Sequence, residues 1–258
     1  MFYTKQQMVD DLRSLGIKAG DVVFMHSSFK SLGQVDGGAA TVFAALQEVL
    51  TEEGTLLLPA FSYENVNKEN PVFSVKDTPV CVGYLPEYFR TRVEGVVRSI
   101  HPTHSVCAWG KLAVELTKDH VLDETPVGPH SPLYLLRQYG GKVLFLGCGV
   151  ECDTTMHGVE EEIPVPYVFS PREKWDYTVI PEEGEPFEIH HIRHLHIIGK
   201  KRYDQRFTRL FSILDPAQYA VGPVLDSTSY LIASSTIWET AKKKMQEDPF
   251  FFVEETDV

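Results

Sequence analysis

The sequence predicts an α/β protein: a central mixed sheet flanked by helices, with a β-rich insert in the C-terminal half. Three observations predict it. Short apolar runs such as DVVFMH, GTLLLPA and GKVLFLG have the length of buried strands. Segments with apolar residues at helical spacing alternate with them, as in an α/β core. From Pro164 onward, VPYVFSPREKWDYTVI and EPFEIHHIRHLHIIG become aromatic and β-branched with partial alternation, the texture of antiparallel strands.

Each element follows from a local signal. Thr4 with Gln7 three residues later makes a capping-box pattern, and Met8, Leu12 and Leu15 recur at helical spacing until Gly16. DVVFMH is the first buried strand. After Gly37 and Gly38, TVFAALQEVL places Val42, Leu46, Val49 and Leu50 on one helix face, and GTLLLPA is the next strand. Residues 83–93 read as helix, HSVCAWG as extended, SPLYLLRQYG as helix and GKVLFLG as a strand between glycines. A helix is expected near Asp153, and a last one over residues 235–246 ends before Pro249. No repeat, low-complexity tract or flexible linker interrupts the chain. Residues 1–258 are therefore expected to form one domain, with 164–204 as a β-rich insert or subdomain packed on the core.

The 258 residues, 43% of them hydrophobic, suffice for a substantial core. A net charge of −12 argues against a nucleic-acid partner, which needs clustered Lys and Arg, and favours a cationic one. No apolar run reaches the roughly 18 residues of a membrane span, and MFYTKQQMVDDL lacks the basic and apolar regions of a signal peptide. A cytoplasmic protein with no membrane partner is expected. Cys81, Cys107, Cys148 and Cys152 are too few and irregular for a disulfide framework, so reduced thiols are expected.

Four polar segments stand out. In HSSFKSLGQVDGG, a strand runs into His26, Ser27 and Ser28 before three glycines and a helix; this can cradle an anion or simply be a capped loop. In RSIHPTHSVCAWG, Pro102 disfavours the helix that would pair His101 with His104 as ligands, leaving a polar loop. Read as a strand, HHIRHLHI puts His190, His194 and His196 on one face and His191 on the other, lining a solvated sheet face. In GCGVECDTTMHGVEEEIP, Cys148, Cys152 and His157 are spaced by four and five, matching neither a redox C-x-x-C nor structural zinc, so a buried pair of thiols is expected. On a helix from Asp153, His157 shares a face with Glu160 or Glu161, and a carboxylate there can orient an imidazole for proton transfer.

The order of these segments resembles the aminoglycoside 3-N-acetyltransferase family: HSSFKSLG, GGAATVFAALQEVLTEEGTLLLPAFSY, RSIHPTHSVCAWGKLA, SPLYLLRQYGGKVLFLGCG, then TTMHGVEE, with KRYDQRF later. The resemblance covers about residues 1–162 and is weaker afterwards. It implies an α/β fold distinct from the GNAT fold, binding acetyl-coenzyme A and passing its acetyl group directly to an amine, with no metal. The family's His-x-x-Glu motif falls on His157 and Glu160, which implies general base and orienter. Its His-Ser-Ser segment falls on His26, Ser27 and Ser28, implying coenzyme contacts, with Ser105 and Ser131 as further coenzyme-site candidates. A cationic small-molecule amine would suit acids such as Glu161 and Asp204. A metabolite amine as acceptor, a metal-dependent hydrolase and a non-catalytic coenzyme-binding protein stay open, as do a homo-oligomer and the roles of His190, His191, His194 and His196.

Overall fold

The computed structural model describes residues 2–257. The chain opens with α1 (Lys5–Leu15), whose capping box at Thr4 and Gln7 is present. Then follow β1 (Val22–Ser27), α2 (Ala39–Leu50), β2 (Thr55–Pro59), β3 (Val72–Ser74), α3 (Tyr84–Arg92), β4 (Val97–Arg98) and β5 (Val106–Gly110). Next come α4 (Ala113–Thr117), α5 (Pro132–Leu135), β6 (Lys142–Leu146), α6 (Met156–Glu162), β7 (Lys174–Ile180), β8 (Phe187–Ile192), β9 (Ile197–Ile198) and β10 (Lys201–Gln205). The chain ends with β11 (Tyr219–Val224), β12 (Ser227–Ala233), α7 (Ser234–Glu247) and β13 (Val253–Asp257).

Seven strands form the central sheet in the order β11, β12, β6, β1, β2, β5, β4. Its middle is parallel, β1 lying between β6 and β2, while its margins are antiparallel. The mixed sheet flanked by helices is therefore as the sequence predicts. β1 is apolar from Val22 to Met25 because both of its faces are covered there. Val22 and Phe24 join Leu57, Phe145 and Trp238 of α7 in one core layer; Val23 and Met25 join Leu144, Leu56, Met8 of α1 and Leu46 of α2 in the other.

The β-rich C-terminal half divides between two small sheets. β7 pairs with β8 and with β3, whereas β10 pairs with β9 and with β13. The strand expected to run on through HHIRHLHI stops at Ile192. Residues 193–196 leave the ladder, and His196 takes φ 55°, which no strand residue adopts. The solvated histidine face is thus corrected: only His190 is exposed, while His191 and His196 are buried.

Among the described residues, no helix is long and apolar enough to cross a membrane.

Candidate active site

The parallel strands β1, β2 and β6 end on the same edge of the sheet, and α/β sheets bind ligands beyond the carboxyl ends of such strands. A cavity of about 480 Å³ opens there. His26 and Ser27 from β1, Pro59 from β2, and Cys152 and Thr154 from the loop after β6 form one side. Tyr63, His104, Arg193 and His194 form the other, and His157 of α6 lies between them. Two glycines make this assembly possible. Gly147 turns the chain after β6 with φ 70°, where a Cβ would press on Ser28 O at 3.1 Å. Gly158, next to His157, lets α6 settle on α7, since a Cβ there would collide with the Trp238 ring.

His157 Nδ1 lies 2.7 Å from Glu160 Oε2 one helical turn on, and the same oxygen is 3.4 Å from His196 Nε2. A carboxylate can only accept, so Nδ1 carries the hydrogen and Nε2 presents its lone pair. Burial opposes charge on Glu160, but hydrogen bonds from His157 and His196 outweigh it and hold the carboxyl well below the usual carboxylate range. Glu160 is fully buried, and its short contacts are to His157 and His196.

His26 is sandwiched by Phe24 and Phe145, with ring centroids 4.9 and 5.6 Å away. Burial, and secondarily the His157 ring, push its pKa down to about 3. It is neutral, and its Nε2 accepts from the Thr154 N–H at 3.2 Å. Ser27 is among the residues that line the cavity, and its buried Oγ has no hydrogen-bond partner among the described residues. Ser28 does not reach the lining; its Oγ accepts from Ser31 Oγ at 2.7 Å. Nor does the glycine-rich stretch up to Gly38, so of the anion cradle only His26 and Ser27 face the cavity.

Three further expected contacts lie elsewhere. Ser105 is fully buried, donating to Ala60 O at 2.7 Å and accepting from Arg98 Nε at 2.9 Å. Ser131 caps α5 through the Leu133 N–H and is also fully buried. Asp204 pairs with Arg202 Nε at 2.8 Å and accepts from Thr256 Oγ1, turned from the cavity that its neighbours Tyr203 and Gln205 line. Glu161 does not line the cavity either. It accepts from the Val127 N–H at 2.7 Å and lies 2.6 Å from His194 Nε2. Burial raises Glu161 to about 7 and pushes His194 well below its ordinary value.

The histidines continue inward from the cavity. His194 and His104 lie 5.0 and 6.4 Å from the His157 ring, and His101 stacks between His120 at 5.0 Å and His191 at 4.7 Å. Burial lowers the pKa of all five of these neighbours, so they form a neutral aromatic wall beside His157. His157, Glu160 and His196 offer ligand atoms within 4.8 Å of one another, the kind of His₂Glu set that can hold zinc. Both short contacts to Glu160 are already satisfied as hydrogen bonds.

The sequence reading did not single out Tyr63, Thr154 or Arg193, and it read His104 as part of a polar loop. Arg193 donates to Tyr63 O at 3.0 Å and sits over the Trp175 ring, fixing the far wall. The cavity lining contains Arg193 and Arg202 and, among the described residues, no carboxylate.

A family model described as aminoglycoside 3-N-acetyltransferase matches residues 24–246. An SPbeta prophage-derived aminoglycoside N(3')-acetyltransferase-like protein, YokD, of Bacillus subtilis (strain 168) is 32% identical over 253 residues, covering 84% of this chain and 90% of that protein. Aminoglycoside N(3)-acetyltransferase VII of Streptomyces paromomycinus is 36% identical over 174 residues, covering 61% of this chain and 60% of its own. Among solved structures, a mutant of aminoglycoside acetyltransferase AAC(3)-IVa in complex with a gentamicin superposes with a TM-score of 0.82 at 28% identity, covering 98% of this chain and 92% of that one. The crystal structure of the Bacillus subtilis YokD protein gives 0.79 at 28% identity, covering 96% and 95%.

Proposed function

The chain belongs to the aminoglycoside 3-N-acetyltransferase family, and from that premise we propose that it transfers an acetyl group from acetyl-coenzyme A directly to an amine, with His157 as general base. The observation that carries this reading is the His157–Glu160 hydrogen bond at the wall of a cavity at the carboxyl ends of the parallel strands. An amine is protonated in water and must lose that proton to become a nucleophile. His157 Nε2 takes it, while the ionised Glu160 on Nδ1 stabilises the imidazolium that results. The free amine attacks the thioester carbonyl, and the oxyanion that forms needs hydrogen-bond donors. The unpartnered Ser27 hydroxyl is placed to supply one or to bond the coenzyme's pantetheine arm, and His26 lines the same side. Collapse breaks the C–S bond, the newly bonded nitrogen gives its surplus proton to water, and the proton held by His157 passes to the departing thiolate. No step requires a metal.

The acceptor proposed first is an aminoglycoside-type amine, acetylated at its 3-amino group, as the family name and the gentamicin complex of a relative support. A second reading, a metabolite amine of lower positive charge, is favoured by one observation: the cavity lining has two arginines and no carboxylate. The test is to mix the protein with acetyl-coenzyme A and two panels, aminoglycosides and metabolite amines, and follow free thiol. Turnover confined to the second panel excludes the antibiotic acceptor; binding of acetyl-coenzyme A without turnover of any amine leaves a non-catalytic binding protein.

A further inference from the structure

The acyl-transfer reading gives Glu160 one imidazole to orient and leaves the second, His196, without a role. His196 is held in place at a cost. Its backbone takes φ 55°, a left-handed conformation that a Cβ disfavours, and its carbonyl accepts from the Tyr203 N–H at 2.8 Å. The Glu160 carboxylate is only half used: Oε2 meets both rings, while Oε1 is buried with no hydrogen-bond partner among the described residues. A buried carboxylate oxygen without a partner is costly, and a bound cation satisfies it.

One ligand atom each from His157, Glu160 and His196 lie within 4.8 Å of one another, and among the described residues no other group of three His, Cys, Asp or Glu does so. Zinc bonds nitrogen and carboxylate oxygen at about 2.0 to 2.2 Å in a tetrahedron, which sets neighbouring ligand atoms roughly 3.3 Å apart. The 3.4 Å contact to His196 already has that spacing, and the 2.7 Å contact to His157 has to open by roughly half an ångström. Two imidazoles and one carboxylate suit zinc rather than magnesium or calcium, which take oxygen ligands. His157 and His196 both line the cavity, so an ion can reach them from it. The nearby thiols do not join them. The buried pair expected from sequence is corrected: Cys152 is exposed and lines the cavity, and Cys148 is half-buried.

We propose that His157, Glu160 and His196 form a reversible zinc site, and that zinc bound there switches acyl transfer off. The site rests on this geometry alone; the switch rests on the reading of His157 as general base. A neutral imidazole carries one hydrogen. With zinc on Nδ1 of His157, that hydrogen sits on Nε2, the nitrogen that otherwise takes the proton of the amine. The ring then has no lone pair to offer, and Glu160 bonds the metal in place of Nδ1–H. The metal-free and zinc-bound forms are two states of one site, the first active and the second silent.

The test strips the full-length protein with a chelator, adds zinc chloride, desalts, and measures bound metal by elemental analysis and affinity by titration calorimetry. Wild type should keep one zinc per chain and no magnesium, and cobalt(II) in its place should give the strong visible absorption of a four-coordinate ion. Loss of a ligand costs more than the roughly 10- to 100-fold typical of its outer-shell partners. His157→Ala and His196→Ala should therefore bind zinc at least about a hundredfold more weakly, and either decides alone if the melting curve shows the other unfolded. His190→Ala, whose exposed ring meets Asp176 outside the cavity, should bind as wild type does. No zinc kept by wild type, or zinc kept equally by the ligand variants, would overturn the site. Desalted zinc-bound protein should release no coenzyme thiol with any amine that the metal-free protein acetylates, and EDTA should restore turnover. Equal turnover in the two forms would overturn the switch. A protein that keeps one zinc but acetylates nothing when metal-free refutes the acyl-transfer reading and the switch with it, leaving the site; one that turns over and keeps no zinc refutes this inference alone.

Discussion

Glu160 Oε2 stands 2.7 Å from His157 Nδ1 and 3.4 Å from His196 Nε2, so one buried carboxylate holds two imidazoles. Replacing His157 with Ala should lower kcat by about a hundredfold or more with acetyl-coenzyme A binding retained. Near-normal turnover would show that another group removes the proton. Glu160→Gln keeps an acceptor for Nδ1 but loses the charge, a difference of about 1.5 to 3 kcal/mol for a charge-assisted hydrogen bond. Its kcat should therefore fall by about tenfold to a hundredfold, with KM for the amine little changed.

Ser27→Ala removes a hydroxyl that bonds nothing among the described residues. The melting temperature should stay at the wild-type value while KM for acetyl-coenzyme A rises or kcat falls. Unaltered kinetics would take Ser27 out of the coenzyme site.

Gly158→Ala places a methyl group against Trp238 in the α6 to α7 contact. Overpacking of this kind costs about 1 to 3 kcal/mol. Denaturant unfolding should show that loss, and activity should drop further because His157 is the adjoining residue.

Glu161 joins the Val127 N–H to His194. Glu161→Ala leaves both groups buried and unpaired, for a loss of about 2 to 4 kcal/mol. Glu161→Gln, which can still accept from Val127, should lose less. Equal losses in the two variants would mean that the contact is worth only its packing.

Acid should unfold the protein early. Burial lowers His26 and His120 to about 3 and His191 to about 4, and holds His101, His104 and His194 well below their ordinary value. A histidine with a depressed folded pKa is neutral in the fold but protonated in the unfolded chain below about 6.5. The unfolded state then binds more protons, and stability falls as pH falls through that window. Glu161, raised to about 7, works the other way: its contribution is present below the unfolded value and lost as pH rises through 7. Burial likewise raises Asp153 to about 6 and raises Asp123, and three carboxyls against six histidines still leave a net loss. Below about 4.5 the depressed Glu160 adds to it. Urea titrations at pH 7.5, 6 and 5 should give steadily lower unfolding free energies; a flat profile would mean that these histidines are hydrated.

The sheet was legible because its signals are local. β1, β2 and β6 are short apolar runs that end where the chain must turn, and Thr4 with Gln7 announces α1 before any tertiary contact exists. That His157 would share a helix face with a carboxylate was legible for the same reason, while the spacing left Glu160 and Glu161 both open. His194, His196 and Arg193 were not, because alternation assumes a strand that continues, and here the ladder ends at Ile192 and φ turns positive at His196. Ser105 was misplaced for a different reason. Its hydroxyl is taken by Arg98, whose guanidinium also bonds the carbonyls of Ala60, Val75 and Thr78, contacts that no sequence spacing reports.

The hydrogen bond from Arg193 to Tyr63 O spans 130 residues of chain. Together with the reach of Glu160 to His196, it makes the far wall of the cavity dependent on a segment synthesised well after the parallel strands. A nascent chain that has emerged only as far as α6 carries the proposed base and the strand ends but nothing opposite them. The cavity is therefore complete only once the chain through Gln205 has folded back over the strand ends.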